Sequence, residues 1–249
     1  MYRVLDETVR VAYGDLCFMR RNIFNVIVSS MIAPLLYLVA FGYGMRVGSS
    51  EEGVDYIAYV IPGIMAITSM TAGFASTSQK ILIQRLFHSS FDELVLCPMH
   101  ISSIVLGKSV IGMVRGLMGA VIMLVLGLLL TKDIHLSPQL IVCAVFSCLT
   151  FAMMGVMAGL LAKSTPSLNM ISNLIILPMT FMCGTLFSVD SLPEPAAAVL
   201  WVLPLTHSSE MMRATALDWS FPWVSLAVVA AYFILFFLID CHIIKKGKY

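Results

Sequence analysis

Long apolar runs separated by short polar connections dominate the pattern of this chain. A helix rises about 1.5 Å per residue and the hydrocarbon core of a bilayer is about 30 Å thick, so each run of about 20 residues can cross it. Six runs meet this expectation: residues 23–45, 56–78, 101–130, 139–162, a fifth starting near 168, and 221–239. The pattern therefore predicts an all-α integral membrane protein with six transmembrane helices in one domain, residues 1–249.

A shorter helix with one apolar face precedes the first span. Its apolar positions recur at helical spacing between residues 2 and 21, and they are Leu5, Val9, Ala12, Leu16 and Met19. The segment ends at Arg20 and Arg21, which suit the headgroup level. We expect an amphipathic helix lying in the membrane interface, either as an anchor alone or also as a contact for a cytosolic partner.

The most hydrophilic connection, residues 79–100, carries a second short helical signal. Ser90 and Glu93 have the Ser-x-x-Glu spacing of a capping box, and Asp92 lies in the same first turn, where the helix dipole favours acids. Pro98 then ends the helix. The pattern predicts a short helix parallel to the membrane, which is either a structured turn or a docking element.

The stretch from Asn173 to Arg213 is broken in an unusual way. Its apolar span contains Pro178 and Gly184, and the shorter apolar piece that follows is interrupted at Pro204. That piece is too short to cross a bilayer, so residues 190–213 are expected to be re-entrant or interfacial. Broken backbone at membrane depth is tolerated only where protein or a water-filled cavity covers it.

Composition and charge support this assignment. The chain is 59% hydrophobic and only 12% charged, whereas soluble domains carry about 25% charged residues. The net charge of +1 gives no sign of a nucleic-acid partner. With six spans, eleven Lys and Arg residues fall on the side of the termini and three on the other, with Arg115 inside a span. The positive-inside rule then places both termini in the cytoplasm.

Few residues suggest chemistry. Gly107-Lys108-Ser109 resembles part of a phosphate-binding loop, but Ser102 stands where that loop needs a glycine, so we expect no nucleotide site. Arg115 shares a helix face with the small-xxx-small pair Gly112 and Gly116, and it either serves packing or lies in a transport path. A second small-xxx-small pair, Gly155 and Gly159, lies in the fourth span. The cysteines and histidines are scattered, without the spacing of a metal or catalytic site.

These motifs, in this order, resemble the permease subunits of the ABC-2-type family of ABC exporters. The resemblance covers nearly the whole chain and includes Ile61-Pro62-Gly63, the segment from Phe91 to Pro98, and Val114-Arg115-Gly116. It is closest to the small nodulation, lipo-oligosaccharide and drug export permeases. In the broken stretch it rests on Asn173, Pro178, Gly184, Leu192-Pro193, Pro204, Glu210 and Arg213.

The resemblance implies a non-catalytic permease in the inner membrane, without a cofactor of its own, that works as a homodimer with a separate ABC ATPase holding ATP and Mg. It implies export of an amphipathic, lipid-linked, glycan or drug-like substrate. The ATPase-coupling residues would be Ser90, Phe91, Asp92, Glu93, Leu94, Arg20 and Arg21. The path or gate would include Arg115, Asn173, Pro178, Gly184, Pro204, Glu210 and Arg213.

Two points stay open from the residues alone. Glu210 and Arg213 are spaced i, i+3 and are expected to pair with each other, although they are also candidates for a substrate contact. The alternative to an ABC permease is an ion-coupled secondary transporter or channel, which would need ionisable groups inside the membrane. Asp240 is expected at a span end and no acid is expected at a span centre, which argues against that alternative.

Overall fold

The computed structural model describes residues 2–37, 39, 56–131, 134–182 and 200–247, and within them every regular element is a helix. Residues 200–202 are also helical. The nine helices with defined bounds are α1 (Tyr2–Arg21), α2 (Ile23–Tyr37), α3 (Tyr56–Leu86), α4 (Ser90–Leu96), α5 (Ile101–Leu130), α6 (Pro138–Leu161), α7 (Thr165–Met182), α8 (Pro204–Ala216) and α9 (Trp223–Lys245).

Helix α3 lies at the centre of the bundle, between α5 and α6. Glycines on both neighbours allow the close approach. A Cβ atom added at Gly112 of α5 would collide with Thr77 and the Gly73 carbonyl, and one at Gly155 of α6 would lie 2.7 Å from the Phe74 carbonyl oxygen. Small residues at such crossings let backbones pack directly, which is how helices associate in lipid. The two small-xxx-small pairs predicted from the sequence therefore face α3.

Four of the described helices are long and apolar enough to cross a membrane: 57–86, 101–130, 138–161 and 223–245. They correspond to predicted spans two, three, four and six. Helix α3 runs eight residues beyond the predicted end at Ser78, because Ile81 and Leu82 are buried and continue its packing. Spans one and five correspond to α2 and α7, but their predicted ranges extend outside the described residues, so six spans remain a prediction.

Helix α1 has the bounds predicted for the interface helix, but it packs against the bundle with a different face. Within the predicted apolar stripe, Ala12 and Met19 are buried, whereas Leu5 and Val9 are exposed. The helix also buries two carboxylates, Glu7 and Asp15, against the bundle. The periodicity alone did not predict that polar contact.

Different helices form the two ends of the bundle. The α4 end comprises α4, the end of α3, the start of α5 and the end of α6. The α8 end comprises α8 and the starts of α3, α6 and α9. Helix α8 is almost entirely buried in the protein. It includes the end of the segment 190–213, for which a re-entrant or interfacial position stays a prediction. Residues 190–199 of that region, and Gly184, lie outside the described residues.

Candidate functional site

Helix α4 is the predicted short helix in the hydrophilic connection. It begins after Ser89, a left-handed residue with φ of 52°, whose carbonyl accepts the backbone N–H groups of Asp92 and Glu93. The predicted capping box is wrong, because the chain enters the helix through this turn and Ser89 makes no side-chain capping bond. The helix ends at an extended Cys97, the conformation favoured before proline.

One face of α4 is anchored and the other is presented to solvent. Phe91 is buried in the main hydrophobic core, which stabilises the position of the helix by about 2–3 kcal/mol. Ser90 and Leu94 are half-buried, and Asp92 and Glu93 are exposed. Leu96 at the end of the helix is 86% exposed. The arrangement leaves an acidic and apolar surface of α4 exposed.

A buried ionic cluster ties α1 to both helices that flank α4. The carboxylate of Asp15 accepts a hydrogen bond from Lys108 Nζ of α5 at 2.9 Å and from Gln84 Nε2 of α3 at 3.2 Å. Lys80 Nζ of α3 lies 3.7 Å from the same carboxylate and 4.2 Å from the centre of the Phe18 ring. One carboxylate of α1 therefore holds the end of α3 beside the start of α5.

A second carboxylate fixes the junction between α4 and α5. Glu7 accepts hydrogen bonds from the His100 backbone N–H at 2.9 Å and from Ser103 Oγ at 2.9 Å, and its carboxylate lies 3.0 Å from His100 Nδ1. Arg3 pairs with it from the same helix at 3.3 Å. The His100 backbone donor, followed by its ring and Ser103, lowers the pKa of Glu7 to about 2. Glu7 therefore stays ionised well below neutral pH.

Gly107 explains how α1 comes so close to α5. A Cβ atom at this position would lie 2.7 Å from Val11 Cβ and 3.1 Å from the Thr8 carbonyl oxygen. The Gly107-Lys108 pair, which resembles part of a phosphate loop, is thus a crossing point followed by the lysine that binds Asp15. Sequence reasoning missed this cluster. The available signal was the i, i+4, i+8 series Glu7, Val11 and Asp15, which places two acids on one helical face.

Arg85 links the α4 end to α6. Its guanidinium donates hydrogen bonds to the carbonyl oxygens of Gly159 and Leu160, both at 2.7 Å, and of Ala162 at 3.3 Å. These carbonyls close the C-terminal end of α6, where no intrahelical donors are left and a positive charge is favoured. The last turn of α3 is therefore bonded to α6 as well as to α1.

The structure describes six of the seven predicted path residues, and these six lie on three helices, α5, α7 and α8. Arg115 is half-buried midway along α5, and Asn173 and Pro178 lie exposed on α7. Pro204 is the buried first residue of α8, where a proline is compatible with the helix. Of the predicted ATPase-coupling residues, Arg20 and Arg21 are the last two of α1, and their side chains are exposed. The roles assigned to these residues remain predictions.

Glu210 and Arg213 make contacts with other helices at the α8 end. Ser225 of α9 donates a hydrogen bond to Glu210 and lies 3.0 Å from Nδ1 of the buried His207. Arg213 is buried, donates to the Tyr59 carbonyl oxygen at 3.3 Å and stacks 3.7 Å above the Tyr59 ring. These contacts hold α8 against α9 and α3, and the predicted Glu210–Arg213 pair stays a prediction.

Comparison with known proteins finds one matching family model and several similar membrane-transport and nodulation proteins. The family model described as ABC-2 type transporter matches residues 12–217. The chain is 22% identical to the inner membrane transport permease YadH of Escherichia coli K12, over 90% of this chain and 89% of that protein. It is 29% identical to nodulation protein J of Rhizobium meliloti strain 1021 and 28% identical to that of Rhizobium leguminosarum, over 88% of this chain and 86% of each relative.

Proposed function

Because this chain belongs to the ABC-2 type transporter family, we propose that it is the permease of an ATP-driven exporter whose energy comes from a separate ATPase subunit. Membership makes the chain a transport permease, the membrane component of an ABC transporter, and implies an ABC ATPase partner. The inner-membrane relatives and the apolar helices point to a multi-pass inner membrane protein. Export, its direction and its cargo belong to the proposal.

The observation that carries the proposal is the exposed acidic and apolar surface of α4. Asp92 and Glu93 present two carboxylates, Leu96 presents an apolar side chain, and Phe87 just before the helix is 68% exposed. A short helix with an exposed apolar and acidic surface and a buried aromatic side chain is typical of an element that enters a cleft on another protein, with its charges steering the encounter. Phe91 is the buried side chain that holds α4 in place, and we assign the contact itself to Asp92, Glu93 and Leu96.

The contacts around α4 connect the helices that would move when the ATPase displaces α4. Asp15 holds the end of α3 beside the start of α5, Glu7 holds the α4–α5 junction, and Arg85 holds the end of α6. A displacement of α4 by the ATPase would therefore move α1, α3, α5 and α6 together. Packed helices with hydrogen-bonded ends move as units and do not deform continuously. In this proposal α1 supports α4, the helix that couples the permease to the ATPase, while the exposed apolar residues of α1 contact lipid.

Orientation and assembly complete the proposal. The lysine and arginine distribution supports cytoplasmic termini, which puts the α4 end on the ATPase side and the α8 end on the far side. Two copies of the permease would enclose the path, with two ATPase subunits below. The spans carry few charges, which favours an amphipathic, lipid-linked, glycan or drug-like cargo. One relative is named as a nodulation protein and another as a transport permease, and neither name specifies this cargo.

Charge reversal on α4 tests the proposal. In the Asp92→Lys, Glu93→Lys double variant, we expect recovery of the partner ATPase by pull-down to fall at least tenfold, while membrane insertion stays normal. Glu51 and Glu52 form a matched pair of adjacent acids in a connection predicted on the opposite side, and their reversal to lysine should leave recovery unchanged. Equal recovery in all three proteins would refute docking at α4. Equal loss in both variants would indicate a general effect of charge.

One observation favours a second candidate, an ion-coupled transporter. The expectation that Asp240 lies at a span end is wrong, because α9 continues five residues beyond it to Lys245. Asp240 is fully buried, and neither of its carboxylate oxygens has a hydrogen-bond partner among the described residues. Buried ionisable groups within spans are costly and often serve ion or proton movement. The Asp240→Asn variant separates the candidates. ATP-dependent transport should survive this change under the main proposal, whereas loss of gradient-driven transport without ATP would favour the second candidate.

A further inference from the structure

An apolar pocket lies between α6 and α9 at the α8 end of the bundle. Its volume is about 460 Å³, within the roughly 300–1,000 Å³ typical of small-molecule pockets. The principal lining residues are Val142, Cys143, Phe146, Phe221, Trp223 and Leu226. Gln139 at the start of α6 also belongs to the lining, and none of the described lining residues is charged. A polar or ionic ligand would lose its hydration here without gaining a partner.

Tryptophans locate the mouth of this pocket relative to a membrane. Trp223, the first residue of α9, is 73% exposed, and Trp219 in the preceding connection is 40% exposed. Tryptophan side chains concentrate at the headgroup level, where their rings meet both lipid and water. Since Trp223 lines the pocket, the end of the pocket beside it lies at one membrane interface, and we call this end the mouth. Ser137, whose Oγ accepts the Leu140 backbone N–H, caps the start of α6 at the same level.

The pocket extends inwards from that level along α6. Phe146 lies seven residues after Gln139, which is about 10 Å deeper along the helix axis, against about 15 Å for half of the hydrocarbon core. The inner wall is closed by Cys143, which packs with Met211 of α8 and Val229 of α9. The lining residues therefore run along α6 for about two-thirds of the depth of one leaflet, and the described lining at the inner end is uncharged.

We propose that this pocket is a binding site for one acyl chain of a membrane phospholipid, held with its headgroup near Gln139 and Trp223. Its uncharged lining, its interfacial mouth and its length along the membrane normal together favour an alkyl chain supplied by the bilayer. The site involves α8, α9 and α6, so an occupied pocket would stabilise the end of the bundle opposite α4. The assignment does not depend on the direction of transport.

Quenching of Trp223 fluorescence by brominated lipid tests this site. The full chain carries Trp201→Phe and Trp219→Phe, so that Trp223 is its only tryptophan, and is placed in nanodiscs whose phosphatidylcholine has bromine at mid-chain. Val142→Phe narrows the pocket. Ile141→Phe adds the same ring at the neighbouring exposed position, which does not line the pocket. We expect the first change to at least halve the quenching of Trp223 and the second to leave it unchanged.

A second pocket variant and a second brominated molecule complete the quenching experiment. Leu226→Phe narrows the pocket from the α9 side and should act as Val142→Phe does, which covers the case in which one variant fails to fold. A brominated alkyl maltoside in unbrominated nanodiscs should quench Trp223 less than brominated phospholipid at equal chain content. Equal quenching in the pocket and control variants would mean that only surrounding lipid reaches Trp223, and stronger quenching by the maltoside would assign the pocket to soluble amphipaths. Either result overturns the proposal.

Discussion

Replacing Asp15 with leucine should detach α1 from the bundle. The carboxylate of Asp15 is buried with Lys108, and their 2.9 Å contact is supported by Gln84 and Lys80. Removing one member of a buried pair costs about 3–5 kcal/mol, since the other charge is left without compensation. Hydrogen exchange of the α1 amides reports the free energy of this local opening. Since about 1.4 kcal/mol is a factor of ten, exchange should accelerate at least about a hundredfold.

Two comparisons isolate the ion pair from other effects of the substitution. Asp6 on the same helix pairs with Arg10 at 3.0 Å, but these side chains are 64% and 77% exposed. Such a pair contributes about 0.3–0.5 kcal/mol, so Asp6→Leu should change exchange only about twofold. The double variant Asp15→Leu, Lys108→Met removes both charges and should recover most of the protection, because an apolar pair of similar size is close to neutral in a buried site.

The reasoning fails under two results. If Asp15→Leu and Asp6→Leu accelerate exchange equally, burial of the Asp15 cluster does not determine the docking of α1. If the effects of Asp15→Leu and Lys108→Met simply add in the double variant, the two groups are not coupled, and the ionic cluster is not what holds α1 to α5.

Three further changes test other contacts. Glu7 has a pKa of about 2 against an ordinary value of 4.5, so its contribution to α1 docking should be complete above about pH 4.5 and lost as the pH falls through about 2. Hydrogen exchange of the α1 amides should show this pH dependence, and the Glu7→Gln variant should not show it. Arg85→Met should destabilise the end of α6 by about 2 kcal/mol through lost charge-assisted bonds, seen as faster exchange at residues 156–161, with partial recovery in Arg85→Lys. Gly155→Ala should lower the thermal midpoint because the methyl group meets the Phe74 backbone, whereas Gly14→Ala on the open face of α1 should raise it or leave it unchanged; the opposite order would contradict the packing described here.

Much of the helix layout could be predicted from sequence because the lipid environment requires it. Long apolar runs must be helical, since every backbone group in the hydrocarbon region needs an internal partner. The starts and ends of α1 and α5 agree with the predicted bounds, and the short helix α4 was expected from Asp92, Glu93 and the stop at Pro98. The glycine pairs also indicated close helix contacts, although not that both faced α3.

The buried ionic cluster around Asp15 could not be predicted because it depends on pairing between distant residues. Asp15 and Lys108 are separated by 93 positions, and each alone is compatible with an exposed charge or a snorkelling side chain. The entry to α4 was predicted incorrectly, since the capping-box pattern does not reveal a left-handed turn at Ser89. The extension of α3 to Leu86 was missed because Gln79 and Lys80 interrupt its hydrophobicity while Ile81 and Leu82 continue its buried face.

Photocrosslinking from α4 tests the central claim most directly. A photoreactive amino acid replaces the 86% exposed Leu96 in the full chain, expressed together with its ABC ATPase in intact membranes. The matched control places the same group at Leu129, which is 77% exposed near the opposite end of α5. The account predicts a cross-link to the ATPase from position 96 and none from position 129. Absence of the cross-link at position 96, or an equal yield at position 129, would contradict it.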